Sequence, residues 1–173
     1  MLRYSVSTRT MPKLKPPSTK EIESWIMSPN WEKRTLDFKS QDAVPDSTKV
    51  SGELLEKKDW EITKDVASFT NTPGGGYLVV GAKDDRAQRV VEDYSMSDKT
   101  KLRLAGILRN RINPPAEVDV EIVNLGNKRV TVFIVQEGEG DACTVNGTVY
   151  VRDVNGRAHG VRRDYKNSPT TIR

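Results

Sequence analysis

Sulfur and imidazole chemistry have almost nothing to work with in this chain. It has one cysteine and one histidine in 173 residues. A lone Cys143 excludes an internal disulfide and a Cys-rich zinc site. It falls in a strand-like run and reads as a buried structural thiol. A lone His159 cannot supply a His-pair metal site. A Ser-His-Asp triad would have to be built on that one residue, in a Gly- and Arg-rich stretch. No apolar run approaches the roughly 18 residues of a membrane span, mean hydropathy is −0.62, and no signal-peptide core opens the sequence. The expectation is a soluble, cytoplasmic protein. Hydrophobic residues make up only 35%, which is sufficient for one core at this length. Hydrolytic chemistry here falls to carboxylates, lysine and metal.

The charge that is present is uneven. Net charge is +4, and the C-terminal stretch carries Arg152, Arg157, Arg162, Arg163, Lys166 and Arg173 against Asp153 and Asp164. Such a basic tail fits a polyanion partner, and it equally fits a solvated terminus.

Residues 1–19 hold Pro12, Pro16 and Pro17 among basic side chains and read as a flexible basic arm; 20–165 form the single domain, and 166–173 a flexible tail. Ser18 or Thr19 can cap a short helix through Ile22, Trp25 and Ile26. "TLDFK" alternates, with Leu36 and Phe38 on one side and Asp37 and Lys39 on the other, as a half-buried strand does. From Glu53 the stripe Leu55, Ile62, Val66, Phe69 is helical. "YLVVGA" reads as a buried strand. Another helix opens at Asp98 and stops before Pro114. "VDVEIV" and "RVTVFIV" form a hairpin, and "CTVNGTVYVR" a second one around Asn146-Gly147. No internal repeat is visible. The predicted fold is α+β: a mixed, mainly antiparallel sheet with helices packed on it.

Gly74, Gly75 and Gly76 follow a helix and precede a strand. A phosphate-binding P-loop has the reverse order and ends in Lys-Ser or Lys-Thr, which this chain lacks. Nucleotide binding by this loop is therefore disfavoured, and Asn71, Gly74 and Gly75 read as a turn closing the helix. Gly81 ends the following strand and delivers Asp84 and Asp85 to an edge. That pair is either plain turn chemistry or the lip of a metal site. Asp37 and Lys39 give a second acidic position, where one carboxylate can bind a cation and the neighbouring ammonium steadies a phosphate or the attacking water.

These segments together resemble the Schlafen AlbA-type family. The resemblance is carried by "EKRTLDFK" from Glu32 to Lys39, "ASFTNTPGG" from Ala67 to Gly75, and "LVVGAKDD" from Leu78 to Asp85. The helix ending at Ile112-Asn113-Pro114 and the strand "GTVYVR" extend it, so that it spans roughly Trp31 to Gly160. Members of the family include metal-dependent endoribonucleases that cut structured RNA such as tRNA and rRNA with three carboxylates. By position these fall on Glu32, Asp37 and Asp84, with Asp85 as the alternative to Asp84 and with Lys39 assisting at the phosphate. The implied cofactor is Mg²⁺ or Mn²⁺, held by hard carboxylate oxygens. Asp37 stands where many relatives have Glu, and Lys83 replaces a common acidic residue.

Substrate grip would come from a basic groove drawn from Lys101, Arg103, Arg109, Arg111, Arg152, Arg157, Arg162 and Arg163, each of which also reads as an ordinary solvated charge. Mammalian relatives carry two such lobes in one chain around RNA, and a homodimer would rebuild that arrangement here. The leading expectation is thus an endoribonuclease acting on tRNA-like RNA. The alternatives are a non-catalytic DNA- or RNA-binding module and, less favoured, an ATP-binding one.

Overall fold

Three sheets and three α-helices form among the described residues, seen in a computed structural model that describes residues 12–28, 33–86 and 88–161. Helix α1 spans Thr19–Met27, and strand β1, Leu36–Lys39, follows it. A 3-10 turn at Gln41–Ala43 leads to α2, Gly52–Thr70. Strands β2, Gly76–Val80, β3, Ala82–Asp85, and β4, Gln88–Val91, precede α3, Asp98–Arg111. The remainder is strand: β5 Ile112–Asn113, β6 Val118–Leu125, β7 Lys128–Val135, β8 Thr144–Val145, β9 Thr148–Arg152 and β10 Ala158–Val161.

The central sheet has the order β1-β2-β7-β6. Its β1–β2 pair is parallel and the rest antiparallel, so the sheet is mixed and mainly antiparallel, as the sequence implies. A second sheet has the order β10-β9-β8-β5, and β3 and β4 form a separate hairpin. The β8–β9 turn carries Asn146 and Gly147 at φ 49° and 77°, the left-handed pair that a two-residue hairpin requires.

Strand alternation divides the central sheet into two faces. Leu36, Phe38, Val79, Ala82, Val130, Val132 and Ile134 pack under α1 through Ile22. Leu78, Val80, Phe133 and Val135 pack against Ile62, Val66 and Phe69 of α2 and Leu104 and Leu108 of α3. Ser18 caps α1 in a reciprocal capping box with Glu21. The segment from Pro12, read from its prolines as part of a flexible arm, is instead docked. Leu14 exchanges two backbone hydrogen bonds with the side-chain amide of Gln136, at 2.8 and 3.0 Å, and the Tyr77 hydroxyl donates to the Lys15 carbonyl. The rest of the expected arm, residues 1–11, and the expected tail, 166–173, lie outside the described residues.

The three glycines turn the chain from α2 into β2. Gly75 has φ 68°, and a Cβ there would collide with the Val135 carbonyl oxygen; one on Gly76 would collide with the Phe69 ring. Asn71, the C-cap of α2, donates to the carbonyls of Cys143 and Tyr150 at 3.0 and 2.9 Å and accepts from the Cys143 N–H at 2.8 Å. It thereby ties the end of the helix to the second sheet.

Candidate active site

The pleat of β1 sends Asp37 and Lys39 toward α2, because Leu36 and Phe38 are claimed by the opposite core. Asp37 lies opposite Leu78 in the parallel pairing with β2. It is buried, at 4% exposure, and one carboxylate oxygen accepts from the Phe38 N–H at 2.8 Å. The Lys39 ammonium approaches the other oxygen at 3.1 Å.

A second acid meets this pair from α2. Asp65 Oδ2 lies 3.5 Å from Lys39 Nζ. Behind both acids stands Arg152, the last residue of β9, with its side chain wholly buried. Its guanidinium is 3.4 Å from Asp37 Oδ2 and 3.9 Å from Asp65 Oδ1, and 4.0 Å above the Phe69 ring, a cation–π contact that helps hold a desolvated charge. Two acids thus share two cations. Burial pushes the Asp65 carboxyl up to about 6, with Lys39 opposing the rise and Asp37 adding to it. Burial works against the charged Lys39 too, but Asp65 and Asp37 outweigh it and hold its pKa above the usual value.

The cluster opens into a cleft of about 460 Å³ lined from β1, the 3-10 turn, α2 and the loop entering β10. Asp37, Lys39 and Asp65 contribute acid and ammonium, and Lys58, Lys64 and Arg157 add positive charge. Asp153 accepts from the N–H groups of Asn155 and Arg157 and contacts His159 Nε2 at 2.7 Å, which shapes that loop.

The other residues singled out from sequence are distributed differently. Glu32, Arg162 and Arg163 lie outside the described residues. Asp84 does not line this cleft. Its carboxylate pairs with Arg89 at 3.2 Å, and that guanidinium stacks 3.5 Å from the centre of the Phe38 ring, on the sheet face turned away from Asp37. Gly81, at φ 103°, bends the chain there, and Asp85 is an exposed residue of the same hairpin. Among the described residues no three of His, Cys, Asp and Glu gather as a group able to hold a metal ion.

Of the expected groove cations, Arg157 lines the cleft. Arg152 faces the acids from the interior and has no surface for a phosphate. Arg103 pairs with Asp59 and Arg111 with Glu56. Lys101 and Arg109 border a smaller cleft of about 190 Å³ between α3 and β6. Asp65, Lys58 and Lys64 were not singled out from sequence. Their one local signal is helical spacing: Lys58, Glu61 and Asp65 recur along α2 beside the Ile62–Val66–Phe69 stripe.

Residues 32–159 match the Schlafen, AlbA_2 family model, and the chain belongs to that family. Among solved structures it is similar to the DIP2311 protein from Corynebacterium diphtheriae, at 19% identity and a TM-score of 0.53, over 82% of this chain and 26% of that one. The chain therefore spans about a quarter of the DIP2311 chain. The N-terminal domain of a putative ATP-dependent DNA helicase RecG-related protein from Nitrosomonas europaea matches at 19% identity and a TM-score of 0.48, over 70% of this chain and 74% of that one. At this identity the DIP2311 likeness shows the fold alone. A search of curated proteins gave no match. No helix among the described residues is long and apolar enough to cross a membrane.

Proposed function

We propose that the protein is a metal-dependent endoribonuclease of the Schlafen type acting on structured, tRNA-like RNA. The observation that carries this reading is the cleft. It places Asp37 and Lys39 at its floor and sets Lys58, Lys64 and Arg157 around them, so that a phosphodiester entering between the basic side chains meets an acid and an ammonium together. Carboxylates without histidine or cysteine are the donor type that suits a hard, oxygen-seeking cation such as Mg²⁺ or Mn²⁺. Asp37 is the described residue that would hold it, alongside Glu32 from the family pattern. When bound, such an ion supplies an activated water or hydroxyl and charge relief on the departing oxygen. Within the chain, Lys39 neutralises the phosphate that comes to Asp37, and the rim cations fix the backbone on either side. Two copies of the chain would supply the two lobes that relatives carry in one polypeptide, a state that light scattering reads directly.

Cleavage of tRNA by the purified chain with Mn²⁺ or Mg²⁺, its loss with EDTA, and its loss in Asp37→Asn are the expected results. Single- and double-stranded DNA in parallel reactions define nucleic-acid preference.

A second reading is a nucleic-acid-binding module without catalysis. It is favoured by the charge balance at the cleft floor, where Lys39 and Arg152 already neutralise Asp37 and Asp65. Tight, salt-sensitive binding with no cutting under either metal would select it.

A further inference from the structure

The central sheet ends on β6, and no strand among the described residues pairs with its outer side. We propose that β6 takes up an extended segment of another protein as a further strand of the sheet. That segment alternates apolar residues, laid into the cleft between α3 and β6, with basic residues set beside Asp119 and Glu121. The surface lies at the opposite edge of the sheet from β1 and Asp37, and it does not depend on the function proposed for the cleft there.

The ladder shows which backbone groups are on offer. The Gln136 N–H donates to the Glu117 carbonyl at 3.0 Å. From there β6 runs antiparallel to β7 without a bulge, from Val118 opposite Val135 to Leu125 opposite Lys128. Peptide groups alternate sides along a strand, so those of Glu117, Asp119, Glu121, Val123 and Leu125 are spent on β7. Those of Val118, Val120 and Ile122 face outward. Asn124 keeps the same phase: its carbonyl accepts from the Thr19 hydroxyl at 3.3 Å, outside the sheet.

The same alternation sorts the side chains. Val118 and Val120 join the core under α3, and with Leu104, Leu108 and Phe133 they line the cleft of about 190 Å³. Ile122 continues their row and is exposed. Side chains of an added strand that lie opposite these three enter that cleft, where apolar groups fit. Lys101 and Arg109 border it and turn a basic side chain away. On the other face, which Val123 and Leu125 share with α1, Asp119 and Glu121 stand exposed. Basic side chains two apart on the added strand meet them there. A one-residue slip would exchange the two faces, setting cations against Lys101 and Arg109, so the charges fix the register.

The charges also choose the occupant. Proteins usually blunt a long edge with lysine, proline or a bulge, and "VDVEIVNL" has none of these. A second copy pairing β6 with β6 across a two-fold axis would run antiparallel and bring Asp119 and Glu121 against the same two acids, which is unfavourable. A basic strand meets no such penalty. The acids thus reject self-pairing and leave the edge open to strand addition by a partner of opposite charge.

The test adds a fluorescent peptide of alternating valine and lysine, matched in length to β6, to the full chain. One control peptide carries the same residues in scrambled order, and another has glutamate in place of lysine. Anisotropy reads affinity, and amide hydrogen exchange by NMR reads the contact residue by residue. The valine–lysine peptide is expected to bind at least about tenfold more tightly than either control. It should protect the amides of Val118, Val120 and Ile122, with little change at Asp119, Glu121 and Val123. Asp119→Lys/Glu121→Lys is expected to move the preference to the glutamate peptide. Ala105→Trp, at an exposed position of the cleft wall, is expected to weaken binding, with thermal melting to check folding. Equal affinity for the scrambled peptide, binding without alternating protection, or no binding at millimolar peptide would overturn the proposal. So would protection of the same three amides in the full chain alone. If it rises with protein concentration, the edge belongs to a second copy; if it vanishes in Arg3→Glu/Arg9→Glu, the edge belongs to the chain's own N-terminal segment.

Discussion

Asp37 and Asp65, one from a strand and one from a helix, answer to the same two cations: Lys39 lies between them on the cleft side and Arg152 touches both from the interior. The pair therefore behaves as a unit. A change to either acid alters the charge balance of the other, and a change to either cation is felt by both.

The buried acid of α2 gives stability a pH dependence. Its folded-state pKa is raised from 3.8 to about 6, so the folded state binds this proton more tightly than the unfolded chain. Its contribution is fully present below pH 4 and is lost as pH rises through 6. Asp65→Asn, which keeps the neutral shape, is expected to be more stable than the unmodified protein at pH 7.5, by ~1–3 kcal/mol in unfolding free energy. The two should converge near pH 4. Denaturant unfolding across that range measures it.

Arg152→Met removes the interior cation while keeping an apolar stem over Phe69. Two buried acids are then left with Lys39 alone. Breaking a buried pair from one side costs about 3–5 kcal/mol, and the midpoint of urea unfolding is expected to fall accordingly. Arg152→Lys should recover little, because a compact, strongly hydrated ammonium is costlier to bury over the Phe69 ring than a planar, weakly hydrated guanidinium.

What the sequence made legible was local. Alternation in "TLDFK" is enough to put Asp37 and Lys39 on one side of β1, and Asn146-Gly147 is enough to place a hairpin. The β3–β4 hairpin escaped because "AKDDRAQRVV" offers few apolar residues to reveal alternation. Asp65 escaped for a different reason. Nothing around it marks it as functional, and its meeting with Asp37 arises only when α2 packs on the central sheet. The orientation of Asp84 hangs on the bend at Gly81 and on Arg89, neither visible as a pairing in the primary chain. Docking of the segment after Pro12 depends on Gln136, more than a hundred residues away, so proline-rich composition alone pointed to a free arm.

Asn71 tests how the helix end is fastened. Its amide makes three hydrogen bonds to the backbone of Cys143 and Tyr150. Asn71→Ala strands those groups at about 1 kcal/mol or more each, so a loss of ~2–4 kcal/mol is expected. Asn71→Asp should fare no better, since its carboxylate faces two carbonyl oxygens that need donors. Pro73→Ala, an exposed change in the same turn, serves as the control. Chemical denaturation of the three variants measures the difference.

If the cleft cuts RNA as proposed, its rim should separate binding from chemistry. Lys58, Lys64 and Arg157 reach the cleft without pairing to Asp37 or Asp65, so their removal should leave the acid pair intact. Each substitution to Ala is expected to weaken RNA binding to a similar extent for all sequences and to lower the slope of log affinity against log salt by about 1. Lys39→Met should act differently. Lys39 contacts both acids, so on the proposed function its loss would open Asp37 to the metal ion while removing the charge meant for the phosphate. The expected signature is tighter Mn²⁺ binding, cleavage reduced at saturating RNA, and only a small change in affinity for RNA measured in EDTA. Fluorescence anisotropy over a salt series, run beside single-turnover cleavage, resolves the two classes. A Lys39→Met protein that loses only RNA affinity, with full cleavage at saturation, would move this lysine from the reaction centre to the rim.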